Sequence, residues 1–398
     1  AYRRQRQMCI RDRNTTNQNL HSMDIANILY MLTAFGLSTI TTFILMPMLL
    51  RLCKRRGMYD IPDERKVHRI NNIPRLGGVL FIPAMSVGVA GTMVFMMTNN
   101  SDKFSQFNMS TILVIIGMFL LYLIGLLDDL FGMPATLKFA IQLIVSIFLP
   151  FCGLYIHDLY GLFGLEEIPA WLSFPITVFV SLLIVNAINL IDGIDGLASS
   201  LSFLAILAFG ILYYFENLLF YSLYCMGLLG SILVFFIYNI FGNPQKGTKT
   251  FMGDTGSLTL GYALAFLAIR YIMIGNPQHV ETTDNNNITF LVPFTLVIVP
   301  CFDLVRVACL RIKRGVSIFF PDKTHIHHKC LHAGFSMHGA LGLIIALQLS
   351  FCLINYLLLI GNCCISVIVG IDIAIFMAFN LWLNYKIRKN ELRNAAKQ

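Results

Sequence analysis

Residues 111–130 read TILVIIGMFLLYLIGLLDDL, an apolar run of 17 uncharged residues that ends at two adjacent carboxylates. A stretch of about 20 mainly apolar residues crosses a bilayer as an α-helix, because every backbone polar group then bonds within the helix. Similar runs begin near residues 27, 77, 137, 170, 196, 218, 256, 288, 339 and 363. The sequence therefore predicts an all-α, polytopic integral membrane protein with about 11 transmembrane helices.

The composition agrees with a membrane protein and excludes two other classes. Of the 398 residues, 57% are hydrophobic and only 13% are charged, whereas soluble domains carry about 25% charged residues. A soluble globular fold and a disordered chain are both excluded. The ten cysteines lie mostly inside apolar runs, where a thiol acts as a small hydrophobe. The net charge of +8 comes from basic residues at the breaks between runs, so no nucleic-acid partner is predicted.

The predicted domain organisation is simple. Residues 1–22 are polar and rich in arginine, and nothing downstream resembles them. We interpret 1–22 as a non-native or disordered extension, with Met23 as the native start. Residues 23–398 are predicted to form a single transmembrane domain whose active site is built from loops.

Lysine and arginine predict the orientation, since cytoplasmic loops hold them in excess. From Met23 onward, 22 of them fall at alternate breaks and in the C-terminal tail, and only Lys103 and Arg270 fall on the other side. With 11 spans, this predicts an N-terminus outside and a cytoplasmic C-terminus. The candidate catalytic and ligand-binding residues all lie at the predicted cytoplasmic breaks.

Asp128 and Asp129 end the quoted run. Adjacent carboxylates at the mouth of a span repel each other and need a cation or water. Lys138 follows nine residues later. A solvated helix end, with Lys138 as an interfacial anchor, is the simpler alternative.

The densest polar motif is NAINLIDGIDGL, residues 186–197. Asn186 and Asn189 are three residues apart and therefore share a helix face. Asp192 and Asp195 repeat the spacing, and each precedes a glycine, which allows the backbone to approach a ligand closely. A polar linker between spans would also explain the motif, although it gives no reason for the regular spacing.

Two further motifs follow. GDTGS, residues 253–257, places Asp254 where a helix begins, and helix N-termini favour anions. A simple helix cap explains it equally well. DKTHIHHK, residues 322–329, places His325, His327 and His328 among lysines, which favours anion binding. A transition-metal site and a solvated basic loop stay as alternatives, and the nearby Asp303 and Arg306 could pair with each other.

These groups share one predicted membrane face. Carboxylate and amide oxygens suit Mg²⁺, which keeps several waters and shares its shell with substrate phosphates. Lysine and histidine suit the phosphates. The combination predicts Mg²⁺-assisted phosphoryl transfer at the inner membrane surface.

The ordered set of motifs resembles the polyprenyl-phosphate N-acetylhexosamine-1-phosphate transferases, over essentially all of the chain from Met23. The resemblance implies transfer of the sugar phosphate from a UDP-N-acetylhexosamine to undecaprenyl phosphate, with release of UMP, at the cytoplasmic face of a bacterial inner membrane. The implied cofactor is Mg²⁺, with Mn²⁺ as a substitute. The implied partners are the two substrates and the lipid bilayer, and a homodimer is compatible with the family.

The resemblance also assigns roles to residues. Asn189 and Asp254 would hold Mg²⁺, and Asp128 and Asp129 would lie by the lipid phosphate, one of them as a base. Asp192 and Asp195 would shape the nucleotide-sugar site. Asn186 would bind substrate. The residues that would contact the diphosphate are Lys138, His325, His327 and His328.

The branch of the family is suggested by two motifs. HIHH at 325–328 and HRINNIPRLGG at 68–78 resemble the enzymes that begin O-antigen, enterobacterial common antigen or teichoic acid linkage units. This favours UDP-N-acetylglucosamine as the donor. Phospho-N-acetylmuramoyl-pentapeptide transferase, which has three consecutive histidines, is the alternative within the family. A transporter of nucleotide sugars or other anions is the alternative from another class.

Overall fold

A computed structural model describes residues 2–59, 73–98, 109–275, 286–318 and 323–395. These residues form helices joined by short breaks, with one antiparallel hairpin. The first helices are α1 (Tyr2–Arg56), α2 (Phe81–Thr98), α3 (Met109–Phe131) and α4 (Ala135–Phe151), followed by strands β1 (Asp158–Leu162) and β2 (Leu165–Glu167). The others are α5 (Ala170–Ile191), α6 (Leu197–Phe215), α7 (Leu219–Ile240), α8 (Gly253–Ile272), α9 (Asn286–Leu296), α10 (Ile298–Lys313), α11 (Ile326–His332), α12 (Met337–Ile360) and α13 (Ile365–Ala395).

The prediction of an all-α polytopic membrane protein is confirmed. Within the described residues, nine helices are long and apolar enough to cross a membrane. A tenth crossing is possible through α9 and α10, which meet at an angle of 68°. The remaining predicted run corresponds to α4, which has 17 residues and is shorter than the others. Each predicted run thus has a helical counterpart, while the number that crosses the membrane stays a prediction.

Helix α8 lies at the centre of the bundle, and 94% of the residues in its most apolar stretch are buried. Glycines let its neighbours approach closely, as small residues commonly do between membrane helices. A Cβ on Gly125 of α3 would lie 2.5 Å from the Cα of Thr255, and one on Gly261 would lie 2.7 Å from the Cα of Val185 in α5. The N-terminal half of α8, from Thr255 to Gly261, therefore packs closely against α3 and α5.

The break between α9 and α10 is satisfied by a side chain from α12. Gln348 donates from Nε2 to the Thr295 carbonyl at 2.7 Å, and its Oε1 accepts from the Val299 N–H at 3.4 Å. A backbone group without a partner is costly inside a membrane. One buried amide therefore stabilises the break on both sides.

The peripheral helices expose large apolar side chains. Phe43 on α1, Leu353 on α12 and Leu381 on α13 are each about 60% exposed. Such extended apolar faces are typical of a surface that contacts lipid.

Candidate active site

The C-terminal end of α3 caps the N-terminal end of α8. Asp129 Oδ1 accepts from the Asp254 N–H at 2.8 Å, and its Oδ2 accepts from the N–H and the hydroxyl of Thr255 at 2.9 and 2.6 Å. These are helix N–H groups with no partner inside α8. A Cβ on Gly253, whose φ is +74°, would collide with this carboxylate. The cap predicted for GDTGS thus exists, but Asp129 supplies it and both of its oxygens are engaged.

Lys138 joins Asp128 to Asp254. Its Nζ lies 2.6 Å from Asp128 Oδ2 and 2.6 Å from Asp254 Oδ2, and all three side chains are less than 20% exposed. The other Asp128 oxygen accepts from the Met133 N–H at 2.6 Å. The structure therefore brings together three residues from α3, α4 and α8 that the sequence singled out separately.

Asn189, on the last turn of α5, completes this cluster. Its Nδ2 donates to Asp254 Oδ1 at 2.7 Å and to the Ser257 hydroxyl at 2.8 Å. Asn186 lies one turn earlier and donates instead to Gln142 Oε1 of α4 at 2.8 Å. Asn189 is thus in direct contact with Asp254, while Asn186 braces α5 against α4.

Asp192 and Asp195 lie on the tight turn between α5 and α6. Asp195 Oδ2 pairs with Lys249 Nζ at 2.6 Å. Burial, followed by the nearby carboxylates of Asp254, Asp195 and Asp129, raises the pKa of Asp192 to about 7, against the opposing effect of Arg75. The turn therefore places two further carboxyl groups beside the cluster at Asp254.

Asn239 at the end of α7 holds this turn against the loop before α8. Its Oδ1 accepts from the Gly196 N–H at 2.7 Å, and its Nδ2 donates to the Thr250 carbonyl at 2.8 Å. Neither Asn239 nor the ion pair of Lys249 was predicted from the sequence. The available signal was an asparagine at the end of an apolar run, just before a polar loop.

The His loop, residues 323–328, is anchored to α10. The pairing proposed for Asp303 and Arg306 is confirmed, with Arg306 Nη2 2.7 Å from Asp303 Oδ1. Asp303 Oδ2 lies 2.8 Å from His325 Nδ1, and Asp303 Oδ1 accepts from the Ile326 N–H at 3.0 Å. Arg306 also donates to the Thr324 carbonyl at 2.5 Å. One buried ion pair thus fixes the conformation of the loop.

The histidines of this loop reach the turn between α5 and α6. A Cβ on Gly193 would overlap the ring of His327, so this ring lies directly against the turn that carries Asp192 and Asp195. The rings of His325 and His327 are nearly parallel, with centroids 5.9 Å apart, and His328 lies 4.3 Å from His327. The motif at 186–197 and the His loop therefore form one site.

Burial makes this loop less basic than its sequence suggests. Burial lowers the pKa of His327 to about 3 and that of His328 to about 4, and the neighbouring histidines contribute. Burial, followed by repulsion from Arg306, lowers the pKa of Lys329 to about 8. In this structure, His327 and His328 would therefore meet a phosphate as neutral hydrogen-bond donors.

The side-chain oxygen atoms of Asp254 and Asn189 are suitable ligands for Mg²⁺. Five carboxyl groups gather here, and Lys138 and Lys249 form ion pairs with three of them, Asp128, Asp254 and Asp195. Among the described residues, no group of three or more His, Cys, Asp and Glu side chains is placed to hold a metal ion. Mg²⁺ needs fewer protein ligands, because it keeps several waters and shares substrate phosphates. The excess of carboxylate charge beside an amide oxygen therefore suits this ion.

An apolar groove of about 640 Å³ runs between α5, the broken pair α9 and α10, and α13. Its walls include Val180, Phe294 and Phe376, and Arg306 and Lys313 of α10 also line it. Arg306 thus contributes both to the groove and to the anchor of the His loop. Two predicted motif segments, His68–Asn72 and Asp322, lie outside the residues that the structure describes.

Comparison with known proteins places this site in context. The model of glycosyl transferase family 4 matches residues 111–272. A probable undecaprenyl-phosphate N-acetylglucosaminyl 1-phosphate transferase of Bacillus subtilis is 30% identical over 304 residues, which is 76% of this chain and 78% of the relative. Undecaprenyl-phosphate α-N-acetylglucosaminyl 1-phosphate transferases of Yersinia pestis and Escherichia coli K12 are each 28% identical. They cover 84% and 74% of this chain, and the matches span 85% and 74% of those relatives.

Proposed function

The chain belongs to glycosyl transferase family 4, and from this premise we propose that it transfers N-acetylglucosamine-1-phosphate from a UDP-sugar to undecaprenyl phosphate. The family and the names of its relatives make it a sugar-phosphate transferase. The finer assignments of donor, metal and membrane face are our proposals. The reaction joins a phosphate oxygen of the lipid to the β-phosphorus of the donor and releases UMP.

The observation that carries the proposal is the convergence at the first turn of α8. Asp128, Lys138, Asn189 and Asp254 come from four helices and are linked by contacts of 2.6 to 2.7 Å. In phosphoryl transfer, the protein acts mainly by positioning the groups and stabilising charge. A buried cluster of both signs beside the histidines supports this kind of catalysis.

Each part of the site has a proposed task. Asp254 and Asn189 would hold Mg²⁺, which neutralises charge on the diphosphate oxygens. Lys138 adds a positive charge at the same place, and the His loop donates hydrogen bonds to the diphosphate. Asp192 and Asp195 shape the pocket for the nucleotide sugar, with Asp195 held by Lys249. Asp128 lies beside the acceptor phosphate, and Asp129 positions α8.

The apolar groove would hold the acceptor lipid. A polyprenyl chain cannot leave the bilayer, and the groove offers an almost entirely apolar wall along α10. Arg306 and Lys313 at this helix could attract the lipid phosphate, because arginine and lysine are common phosphate ligands. The nucleotide sugar would reach the site from the cytoplasm. A homodimer stays a prediction, since lipid contact accounts for the exposed apolar faces.

The test is a donor panel. Purified protein in detergent receives Mg²⁺, undecaprenyl phosphate and one UDP-sugar at a time, including UDP-N-acetylglucosamine and UDP-N-acetylmuramoyl-pentapeptide, and UMP release is followed. We expect release with UDP-N-acetylglucosamine and none from Asp254→Asn. Turnover with the pentapeptide donor alone would instead assign the peptidoglycan reaction, and no UMP from any donor would refute the proposal.

A further inference from the structure

Asp303 is a buried carboxylate that none of the proposed roles includes. It lies on α10, is 1% exposed, and engages both oxygens. Oδ1 accepts from Arg306 Nη2 at 2.7 Å and from the Ile326 N–H at 3.0 Å, and Oδ2 lies 2.8 Å from His325 Nδ1. These contacts fix the side chain and define which nitrogen of His325 faces it.

The opposite nitrogen of His325 is the unusual atom. His325 is 5% exposed, and its Nε2 is buried without a hydrogen-bond partner. A buried polar atom without a partner is costly unless a ligand or water satisfies it. The ring runs nearly parallel to that of His327, which in turn lies against Gly193. Nε2 of His325 therefore belongs to a stack of two rings that extends to the turn carrying Asp192 and Asp195.

We propose that Asp303 is a positioning residue that holds Nδ1–H of His325, so that Nε2 of His325, in its protonated form, donates a hydrogen bond to a phosphate oxygen of the nucleotide. The inference rests on the proposed function and names a group within that site. A carboxylate on one ring nitrogen fixes the tautomer and favours the charged ring. A hydrogen bond from a charged donor to phosphate is stronger than one from a neutral donor.

Several other charged groups surround Asp303 and His325 and affect the stability of a positive charge on the His325 ring. Arg306 from α10 and the histidines beside His325 oppose a positive charge on the ring, whereas Asp303 favours it. The titratable groups that interact with the loop and its neighbours are Asp303, Arg306, Lys323, His327, His328, Lys329 and His332. Removing the one carboxylate in contact should therefore destabilise the charged form of His325.

The first test is a double-mutant cycle with Asp303→Asn and His325→Gln. The amide of Asp303→Asn can still accept from the Ile326 N–H and can donate to His325 Nδ1, so the loop keeps its anchor while the ring loses its neighbouring charge. We expect kcat/KM to fall roughly tenfold, the difference between a charged and a neutral donor. In the His325→Gln background, the same change should have almost no further effect. Losses that multiply would show that Asp303 acts without His325 and would overturn the proposal.

Rescue by a conservative variant separates positioning from a scaffold role. Asp303→Glu keeps a carboxylate for His325 Nδ1, so it should recover most of the kcat/KM that Asp303→Asn loses. Equal losses in the two variants would contradict the proposal. If Asp303→Asn fails to fold, Asp303→Glu is compared with His325→Gln, and an equally large loss in both would contradict us.

Binding of UDP keeps the inference distinct from the proposed reaction. The affinity of the full-length protein for UDP is measured by calorimetry, with His338→Ala as the control, because His338 is an exposed histidine on α12 outside the loop. We expect the affinity to weaken roughly tenfold in Asp303→Asn and in His325→Gln and to stay unchanged in His338→Ala. If no donor yields UMP, the proposed function fails, whereas an unchanged UDP affinity in His325→Gln would refute the role of His325 by itself.

Discussion

Lys138 places one ammonium group between two carboxylates, 2.6 Å from Asp128 and 2.6 Å from Asp254. Two buried acids that share one cation keep an excess of negative charge, and burial together with the carboxylate of Asp254 raises the pKa of the nearby Asp192 to about 7. A site with excess negative charge attracts a divalent cation and repels an anionic substrate. The nucleotide diphosphate would therefore need Mg²⁺ to enter, which links binding of the metal to binding of the donor.

This linkage predicts the effect of removing the proposed metal ligands. Asp254→Asn and Asn189→Ala should abolish turnover in folded protein, because a hard divalent ion loses charge or a ligand. Binding of Mn²⁺ in the presence of UDP, followed by electron paramagnetic resonance, should weaken in both variants. Wild-type affinity and wild-type turnover at low Mg²⁺ in both would remove the metal assignment.

A second residue-scale prediction concerns Gly193. Gly193→Ala would place a methyl group in the ring of His327, so the ring must move away from the acidic turn. A small displacement of a positioned group can cost roughly a hundredfold in rate, and we expect a loss of this size in kcat/KM. The matched control is Gly370→Ala on α13, where a Cβ would meet nothing within 4 Å. Equal activity of the two variants would show that His327 does not need its position.

At the scale of single residues, the sequence predicted which side chains are candidates for the site but not which contacts position them. Asn189 was singled out because polar residues recur at regular spacing in its motif, and Asp254 because GDTGS places a carboxylate where a helix begins, while the role of both as metal ligands came from the family resemblance. The role of Asp129 as the cap of α8 was not predicted, because it depends on a contact across 125 residues. The neutral state of His327 was missed for a related reason, since burial cannot be derived from a basic local sequence.

Helix breaks form the next scale, and α9 and α10 show how a span can bend inside the bundle. The sequence predicted one run from residue 288, because hydropathy reports length and not direction. The 68° bend depends on Gln348, which lies on a later helix. Hydropathy likewise predicts that α4 crosses the membrane, although its 17 residues make it shorter than the nine described helices that are long enough to cross.

The break yields a prediction about stability. Gln348→Leu would leave the Thr295 carbonyl and the Val299 N–H without their partner. We expect a loss of about 1–3 kcal/mol in the free energy of unfolding, the usual cost of buried polar groups left unpaired. Thermal unfolding in detergent measures it, with Leu349→Ala, on the exposed face of α12, as the control. An unchanged midpoint for Gln348→Leu would mean that the break is satisfied in another way.

For the whole molecule, the central position of α8 explains why motifs far apart in the chain meet. Its N-terminal turn is surrounded by α3 and α5, so Asp129, Asn189 and Asp254 are adjacent although they span more than a hundred residues. The position of the motifs at alternate breaks between spans predicted one membrane face, and the contacts join these motifs in one cluster. Sequence alone could not give their distances, because these depend on how closely glycines allow the helices to pack.

The side of the membrane is the remaining whole-molecule prediction. The excess of lysine and arginine predicts that the loop with Lys246 is cytoplasmic and that the hairpin with Glu166 is outside. Both residues are exposed, so Lys246→Cys and Glu166→Cys can be compared in a background depleted of the ten native cysteines. We expect an impermeant thiol reagent to label Glu166→Cys in intact cells and to label Lys246→Cys only after the membrane is opened. Labelling of Lys246→Cys from outside would invert the topology and would place the carboxylate cluster on the face that lacks nucleotide sugars, so the proposed donor could not reach it.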